Sequence, residues 1–426
     1  MELLLLPLIL GLIALGLPVG YSLIAAGIII IGVTTNTPLV IIAQRVFNGT
    51  DSFPMVAVPL FILAGALMNH AGISRRLVDF AASIVGFVRG GLAMTTTVSS
   101  MFFSEVSGSA VADAAALGSV LIPAMKERGY PARFAAAVLS SSATIAIIIP
   151  PSIPMILFGA ITGASIVKLF IAGVIPGIFS GFTIMATSYW LARRGNFAES
   201  QPFDLQKVRI GFQRAFWALS LPVVILGGIF AGIFTATEAA AIAVFLALFL
   251  ALFVYRDMKI DSLPSILVES ARQTSVVMIL VAGSAVLGWY LANQQVPERL
   301  ATFILANVSG KAPTLLLIDA ILLVAGTILH SAAAIVLLVP ILLPLTEQLG
   351  IDTIHFGLMV TVSLAIGQQT PPVASVLITT CSIAKVPMSE VMRVNIFFIL
   401  ALSLVLLLVT FVPELSLWLP ELLADS

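Results

Sequence analysis

Residues 91–125 read GLAMTTTVSSMFFSEVSGSAVADAAALGSVLIPAM. Two apolar runs, 91–106 and 109–125, meet at Ser107-Gly108-Ser109. A helix crossing a bilayer needs about 20 residues, so the pair is too short for two spans. It reads as a re-entrant hairpin whose two half-helices enter and leave on one side. Irregular backbone at the tip is tolerated at membrane depth only where protein or an aqueous cavity covers it. The runs 313–328 and 331–346 read the same way.

The rest of the chain fits that setting. Of 426 residues, 60% are hydrophobic and 9% charged, against about 25% charged in soluble domains. Apolar segments fall at 3–34, 53–69, 91–106, 109–125, 131–163, 166–192, 214–234, 237–255, 265–291, 313–328, 331–346, 353–384 and 388–412, so a polytopic membrane protein is expected. The first segment lacks a basic stretch before it and runs past Val33, so it reads as a span and not a secretory signal. Lys+Arg and Asp+Glu balance at 20 each, and nothing points to nucleic acid as a partner. Cys381, the only cysteine, allows no intrachain disulfide and reads as a small core residue.

The basic residues test the hairpin reading. With both hairpins re-entrant, Arg75, Arg76, Arg89, Lys126, Arg128, Arg133, Arg193, Arg194, Lys207, Arg209, Arg214, Arg256, Lys259, Arg272, Lys385 and Arg393 share one side. Only Arg45, Lys168, Arg299 and Lys311 fall on the other. The positive-inside rule puts the larger set in the cytoplasm. Hairpin one then opens inward and hairpin two outward.

The chain also repeats itself. An offset of 221 superimposes Ala112 on Ala333, Pro123 on Pro344, Gly129 on Gly350, Ser142 on Ser363, and Pro150-Pro151 on Pro371-Pro372. Residues 73–88 and 297–308 are amphipathic and read as surface helices. Each half is thus a span, surface helix, hairpin, broken helix and span, and the charges place the halves on opposite sides. Such inverted repeats are the common build of secondary transporters, whose binding sites lie at interrupted segments in matching positions of the two halves.

Four segments qualify: Ser107-Gly108-Ser109, Ile147-Ile148-Ile149-Pro150-Pro151-Ser152, Gly326 to Ser331, and Gly367-Gln368-Gln369-Thr370-Pro371-Pro372. A Pro-Pro pair removes backbone donors and opens the helix. The freed carbonyls are hard oxygen ligands for a small cation, and the half-helix that starts at the break offers a positive end to an anion. This pairing suits symport of sodium (Na+) with an anionic solute. The plainer alternatives are a kink without a ligand at Pro-Pro and small-residue packing at Ser107 and Ser109.

Among ionisable residues within or near apolar segments (Glu105, Asp113, Glu238, Asp319 and His330), Asp113 either senses the cation or is a satisfied structural carboxylate. Glu238 reads as a helix cap after Thr235, and His330 as a hydrogen-bonding core residue or a proton site. His70 and His355 read as interfacial. There is no Walker A, zinc-protease or nucleophile-elbow motif, so no enzyme is expected.

The runs Pro59 to Met68, Gly72 to Phe80, Arg89 to Ala93, Ser107 to Gly118, Ile149 to Ser152 and Gly367 to Pro372 resemble the large membrane subunit of tripartite ATP-independent periplasmic (TRAP) transporters, along nearly the whole chain. The resemblance implies an elevator mechanism and a multi-pass protein of the bacterial inner membrane. Its partners would be a small four-helix membrane subunit, a periplasmic substrate-binding protein and an organic acid, with sialic acid and C4-dicarboxylates fitting equally. It implies an N-terminal scaffold segment (1–52), repeat one (53–200), central scaffold helices (201–264) and repeat two (265–426). Sodium ligands carry over to Ser107, Gly108, Ser109, Ile147, Ile149, Thr327, His330, Gly367 and Thr370, and substrate contacts to Ser109, Asp113, Ser152, His330, Gln369 and Thr370. The small subunit is expected as a separate chain. A stand-alone sodium–carboxylate symporter of the same architecture is the alternative.

Overall fold

The computed structural model describes residues 5–35, 37–196 and 202–424, without the side chains of Leu6, Val106, Ser107 and Ala424. The described residues form α-helices only, joined by turns and short 3₁₀ and π segments. Ahead of the first hairpin come α1 (Leu5–Ala14), α2 (Val19–Thr34), α3 (Val40–Thr50), α4 (Ala57–His70) and α5 (Ile73–Val85). Hairpin one is α6 (Gly91–Ser107) with α7 (Ala110–Glu127), and broken helix one is α8 (Ala132–Ala143) with α9 (Ile153–Thr162). Next are α10 (Ile166–Gly195), α11 (Leu205–Phe230), α12 (Ala236–Phe249), α13 (Leu263–Asn293) and α14 (Val296–Asn307). Hairpin two is α15 (Lys311–Ile328) with α16 (Ser331–Gln348), and broken helix two is α17 (Thr353–Gly367) with α18 (Ser375–Ala384). The chain ends with α19 (Met388–Phe411) and α20 (Glu414–Ala424).

The repeat is visible in these boundaries. Moved by 221 positions, α7 begins at 331 and ends at 348, the limits of α16. Both Pro-Pro peptide bonds, 150–151 and 371–372, are cis. The halves of each broken helix are too short to cross alone, whereas eight described helical segments are long and apolar enough to do so. Their outward faces carry exposed apolar side chains such as Phe182, Val223, Phe245 and Leu400, a surface suited to lipid.

The surface helices form as their spacing predicts. α5 buries Ile73, Leu77 and Phe80 and leaves its charges outside. Arg76 is pinned there, 2.6 Å from Asp257 and over the Tyr255 ring at 4.0 Å, which ties α5 to the turn after α12. Thr235 and Glu238 cap α12 reciprocally, as read for Glu238.

Two expectations change. The stretch 3–34 is two helices and not one span, because the chain turns over Leu15 to Pro18 and Pro18 lacks an amide to continue the ladder. α3 and α20 lie outside the predicted apolar segments. α3 packs on α13, and α20 on α10 and α17. His355 of α17 is buried within the protein and tied to α20 by a 2.9 Å bond between its Nδ1 and Ser416 Oγ.

The helices gather into two packed groups. α2, α3, α4, α11, α12 and α13 contact one another, with α5 laid on α11. The hairpins, broken helices, α10, α19 and α20 form the other group. Contacts of α5 with α6, α4 with α6, and α13 with α16 join the two.

Hairpin two presses on broken helix two at a glycine pair: a Cβ on Gly367 would sit 2.6 Å from the Gly326 backbone. Gly367→Ala is therefore expected to destabilise the protein by about 1–3 kcal/mol through overpacking. Gly227→Ala, where an added Cβ meets nothing within 4 Å, is expected to be neutral or mildly stabilising. Thermal unfolding of both variants in detergent checks the contrast.

Candidate functional site at the hairpin tips and helix breaks

Each hairpin tip lies on the break of its own half. Gly108 ends α6 with a φ of 58°, a conformation that glycine adopts without steric cost. A Cβ there would come 3.0 Å from the Pro151 carbonyl oxygen and 3.2 Å from the Ile153 amide. The tip therefore needs glycine twice, for its turn and for its contact. Ser109 follows in extended conformation and α7 starts at Ala110. The backbone of Ser107 closes α6, and its side chain lies outside the described residues.

Break one is stitched from within. α8 tightens into a 3₁₀ turn over Thr144–Ile147, and the amides of Ile148 and Ile149 both donate to the Ile145 carbonyl. Ser152 donates through Oγ to the Ile147 carbonyl at 2.7 Å, spanning the Pro-Pro pair. α9 then begins with Pro154 in its first turn, where a missing amide costs nothing.

Break two is closed partly by the hairpin. The Thr327 carbonyl at tip two accepts the amides of Val373 and Ala374, each at 3.1 Å. Thr370 donates its amide to the Gly367 carbonyl at 2.9 Å and its hydroxyl to Ile366 at 2.8 Å. Gln368 and Gln369 are buried. Neither side-chain polar atom of Gln368 has a hydrogen-bond partner among the described residues, so its oxygen is an orphaned hard donor at the break. Hydroxyls, amide oxygens and backbone carbonyls are the donor chemistry of a small alkali cation, and the residues present fit sodium.

A buried network joins the two halves. The Ser141 hydroxyl of α8 donates to Gln369 Oε1 at 2.6 Å and lies 3.2 Å from Asn395 Oδ1. Asn395 of α19 donates through Nδ2 to the Gln369 carbonyl at 2.9 Å. Sequence reading singled out Gln369 and missed its two partners. A lone Asn inside the apolar run 388–412 was the available signal.

One cavity of about 820 Å³ connects these parts. On one wall it meets Gly108, Ser109 and Ala110 of tip one, Ile147, Ile153 and Pro154 of break one, and His330, Ser331 and Ala332 of tip two. The first turns of α7, α9 and α16 thus converge on one space, each bringing the positive end of a helix dipole. The other wall holds Asn69, His70, Glu269 and Gln273, with Arg75 of α5. Its size suits a small-molecule site. Of the sequence candidates, Gly108, Ser109, Ile147 and His330 line this cavity. Asp113, Ile149, Ser152, Thr327, Gly367, Gln369 and Thr370 are not in its lining and stand in the tip and break structure behind it. Asp113 is fully buried in the first turn of α7. His330 is exposed and not in the core, and its Nδ1 caps α16 by accepting the Ala332 amide at 3.4 Å.

Paired hairpins and paired helix breaks around one cavity define a secondary-transporter permease. Residues 6–415 match the family described as "Tripartite ATP-independent periplasmic transporter, DctM component", and the chain belongs to that family. It is 38% identical over 407 residues to the 2,3-diketo-L-gulonate TRAP transporter large permease protein YiaN of Escherichia coli (strain K12), covering 96% of each chain. It is likewise 38% identical over 413 residues to the sialic acid TRAP transporter large permease protein SiaM of Vibrio cholerae, covering 97% of each chain. The crystal structure of the Alcanivorax borkumensis YdaH transporter shares the fold, with a TM-score of 0.56 and 14% identity over 91% of this chain and 88% of that one. The chain is therefore a multi-pass protein of the bacterial inner membrane, and its relatives are transporter permeases, not enzymes.

Asn395→Leu removes the donor to the Gln369 carbonyl and leaves that buried oxygen unpaired. A loss of about 1–3 kcal/mol is expected, read as a lower unfolding temperature. An unchanged temperature would show that the inter-repeat network carries no stability.

Proposed function

We propose that this chain is the large permease of a sodium-coupled, binding-protein-dependent system that imports an organic acid by an elevator movement. The observation that carries this reading is the convergence of three helix N-termini on one cavity lined by break one and by both hairpin tips, with the oxygen donors of break two behind tip two. The N-termini favour a carboxylate. Relatives named for sialic acid and 2,3-diketo-L-gulonate support an acidic solute. The cavity mouth carries Arg75, Glu269 and Gln273, which neighbour basic residues of the cytoplasmic set, so the cavity faces the cytoplasm.

The permease works through its own residues as follows. One sodium ion is held at tip one by Ser107, Gly108 and Ser109 with the carbonyls of Ile147 and Ile149. A second is held at tip two by Thr327 and His330 with Gly367 and Thr370. Bound sodium supplies positive charge that offsets the carbonyl dipoles and favours the solute's carboxylate beside it. Ser109 and His330 contact the solute from the tips. Asp113, Ser152, Gln369 and Thr370 hold the tip and break geometry behind them. The hairpins, broken helices, α10 and α19 move as one body against a scaffold built from residues 1–52, the central helices 201–264 and the surface helices. A small four-helix membrane subunit widens that scaffold, and a periplasmic binding protein delivers the solute.

Uptake of labelled organic acids into proteoliposomes, with the small subunit present and binding protein outside, tests the reading. Uptake is expected with an inward sodium gradient and not a potassium one. Ser109→Ala is expected to raise the sodium concentration for half-maximal uptake roughly tenfold, equivalent to about 1.4 kcal/mol. Uptake indifferent to sodium would overturn the coupling, and uptake without binding protein would mark a stand-alone symporter.

A further inference from the structure

A second buried polar cluster lies away from the hairpin tips. Asp319 sits midway along α15 and is 3% exposed. Its Oδ2 accepts the Thr410 hydroxyl of α19 at 2.8 Å. Its Oδ1 lies beside the hydroxyl of Ser363 of α17. The matching place in the first half is neutral: the offset of 221 sets Asp319 on Val98 of α6, and beside it Thr97 pairs at 3.0 Å with Ser142 of α8, the repeat equivalent of Ser363. The carboxyl is therefore an addition to the second half that the symmetric scaffold does not require. A buried carboxylate held only by neutral hydroxyls is costly unless something neutralises it.

The cluster has its own access. A separate cavity of about 390 Å³ is lined by Lys311, Leu315, Asp352, His355, Thr410 and Pro413, among others. Leu315 is one turn from Asp319 on the same face of α15. Thr410 thus touches both this cavity and the carboxyl. His355 lines the cavity too, bonded to Ser416, with its ring facing the Thr410 backbone. The titratable groups on the surrounding helices are Lys311 of α15, Glu347 of α16, Asp352 and His355 at the start of α17, and Glu414 and Glu421 of α20. Glu390 and Arg393 of α19 and Lys168, Arg193 and Arg194 of α10 complete them. Lys311, Asp352, His355 and Glu414 gather at the cavity end, which the basic-residue distribution places outside the cell.

We propose that Asp319 is a proton-binding site of the permease, filled from the outer aqueous side through the Thr410 hydroxyl. Hydronium in the cavity gives a proton to the Thr410 oxygen and is left as water, as that hydroxyl's own proton passes to Asp319 Oδ2, and release runs in reverse. The neutral carboxyl then needs no counter-ion in the membrane. Asp319 lies in the body proposed above to move, so its use in transport rests on that reading, whereas its protonation does not.

Infrared difference spectra of the full permease in lipid, acid minus neutral, in potassium buffer without solute, test the site. A C=O band of a protonated carboxylic acid, shifting in heavy water, is expected in the wild type and lost in Asp319→Asn. Thr410→Val is expected to keep the band and slow its appearance tenfold or more after an acid pulse. A band unchanged in Asp319→Asn overturns the proposal. So does a carboxylate signal from Asp319 that responds to sodium and not to pH, which would mark a cation site. Should Asp319→Asn fail to fold, an unchanged rate in Thr410→Val overturns the proposed route.

Discussion

Backbone amides and carbonyls at membrane depth must find partners, and two Pro-Pro pairs create groups that the helices cannot satisfy internally. The rest of the structure follows from that constraint. Each break is covered by the tip of a hairpin: Gly108 on Pro151 and Ile153 in one half, Gly326 on Gly367 in the other. The hairpins cannot withdraw without exposing the breaks, and the breaks cannot straighten without displacing the tips. Hairpins and broken helices are therefore expected to behave as one rigid unit. Its stiffness comes from a short list of contacts: glycine on backbone, Ser152 to Ile147, and the Thr327 carbonyl with two amides.

The two halves solve one problem with different side chains. Break one is stitched by its own Ser152 and leaves the hairpin tip free to line the cavity. Break two borrows the Thr327 carbonyl and turns its Gln368 and Gln369 inward, where Asn395 of the same half and Ser141 from across the repeat boundary hold Gln369. An architecture that is symmetric in its backbone thus carries an asymmetric set of ligands. Both tips nevertheless reach the same cavity, through Gly108 and Ser109 in one half and His330 and Ser331 in the other. Neighbouring opposite charges stabilise one another strongly in a medium of low dielectric constant, which would be the physical basis for the proposed linking of solute to cation.

Much of this was legible in the chain. Proline, glycine and serine mark the interruptions because each changes the backbone itself, and an offset of 221 between two Pro-Pro pairs fixes which interruptions correspond. Amphipathic spacing located α5 and α14 for the same local reason. What stayed hidden was non-local or short. The opposite wall of the cavity, with Asn69 and Gln273, comes from helices whose local patterns say nothing of their neighbours. The burial of His355 was not legible because its partner Ser416 lies in α20, a short helix beyond the last apolar segment. The division of 3–34 into two helices was missed because composition stays apolar through Leu15 to Pro18, although the chain turns there.

The central claim is that the four interruptions are paired cation sites. Hydrogen–deuterium exchange of the permease in sodium and in potassium tests it most directly, with peptides covering 105–112, 145–154, 325–333 and 366–376. Sodium is predicted to slow exchange in all four and to leave α11 and α12 unchanged. Equal exchange in the two salts, or protection spread evenly along the chain, would contradict the account.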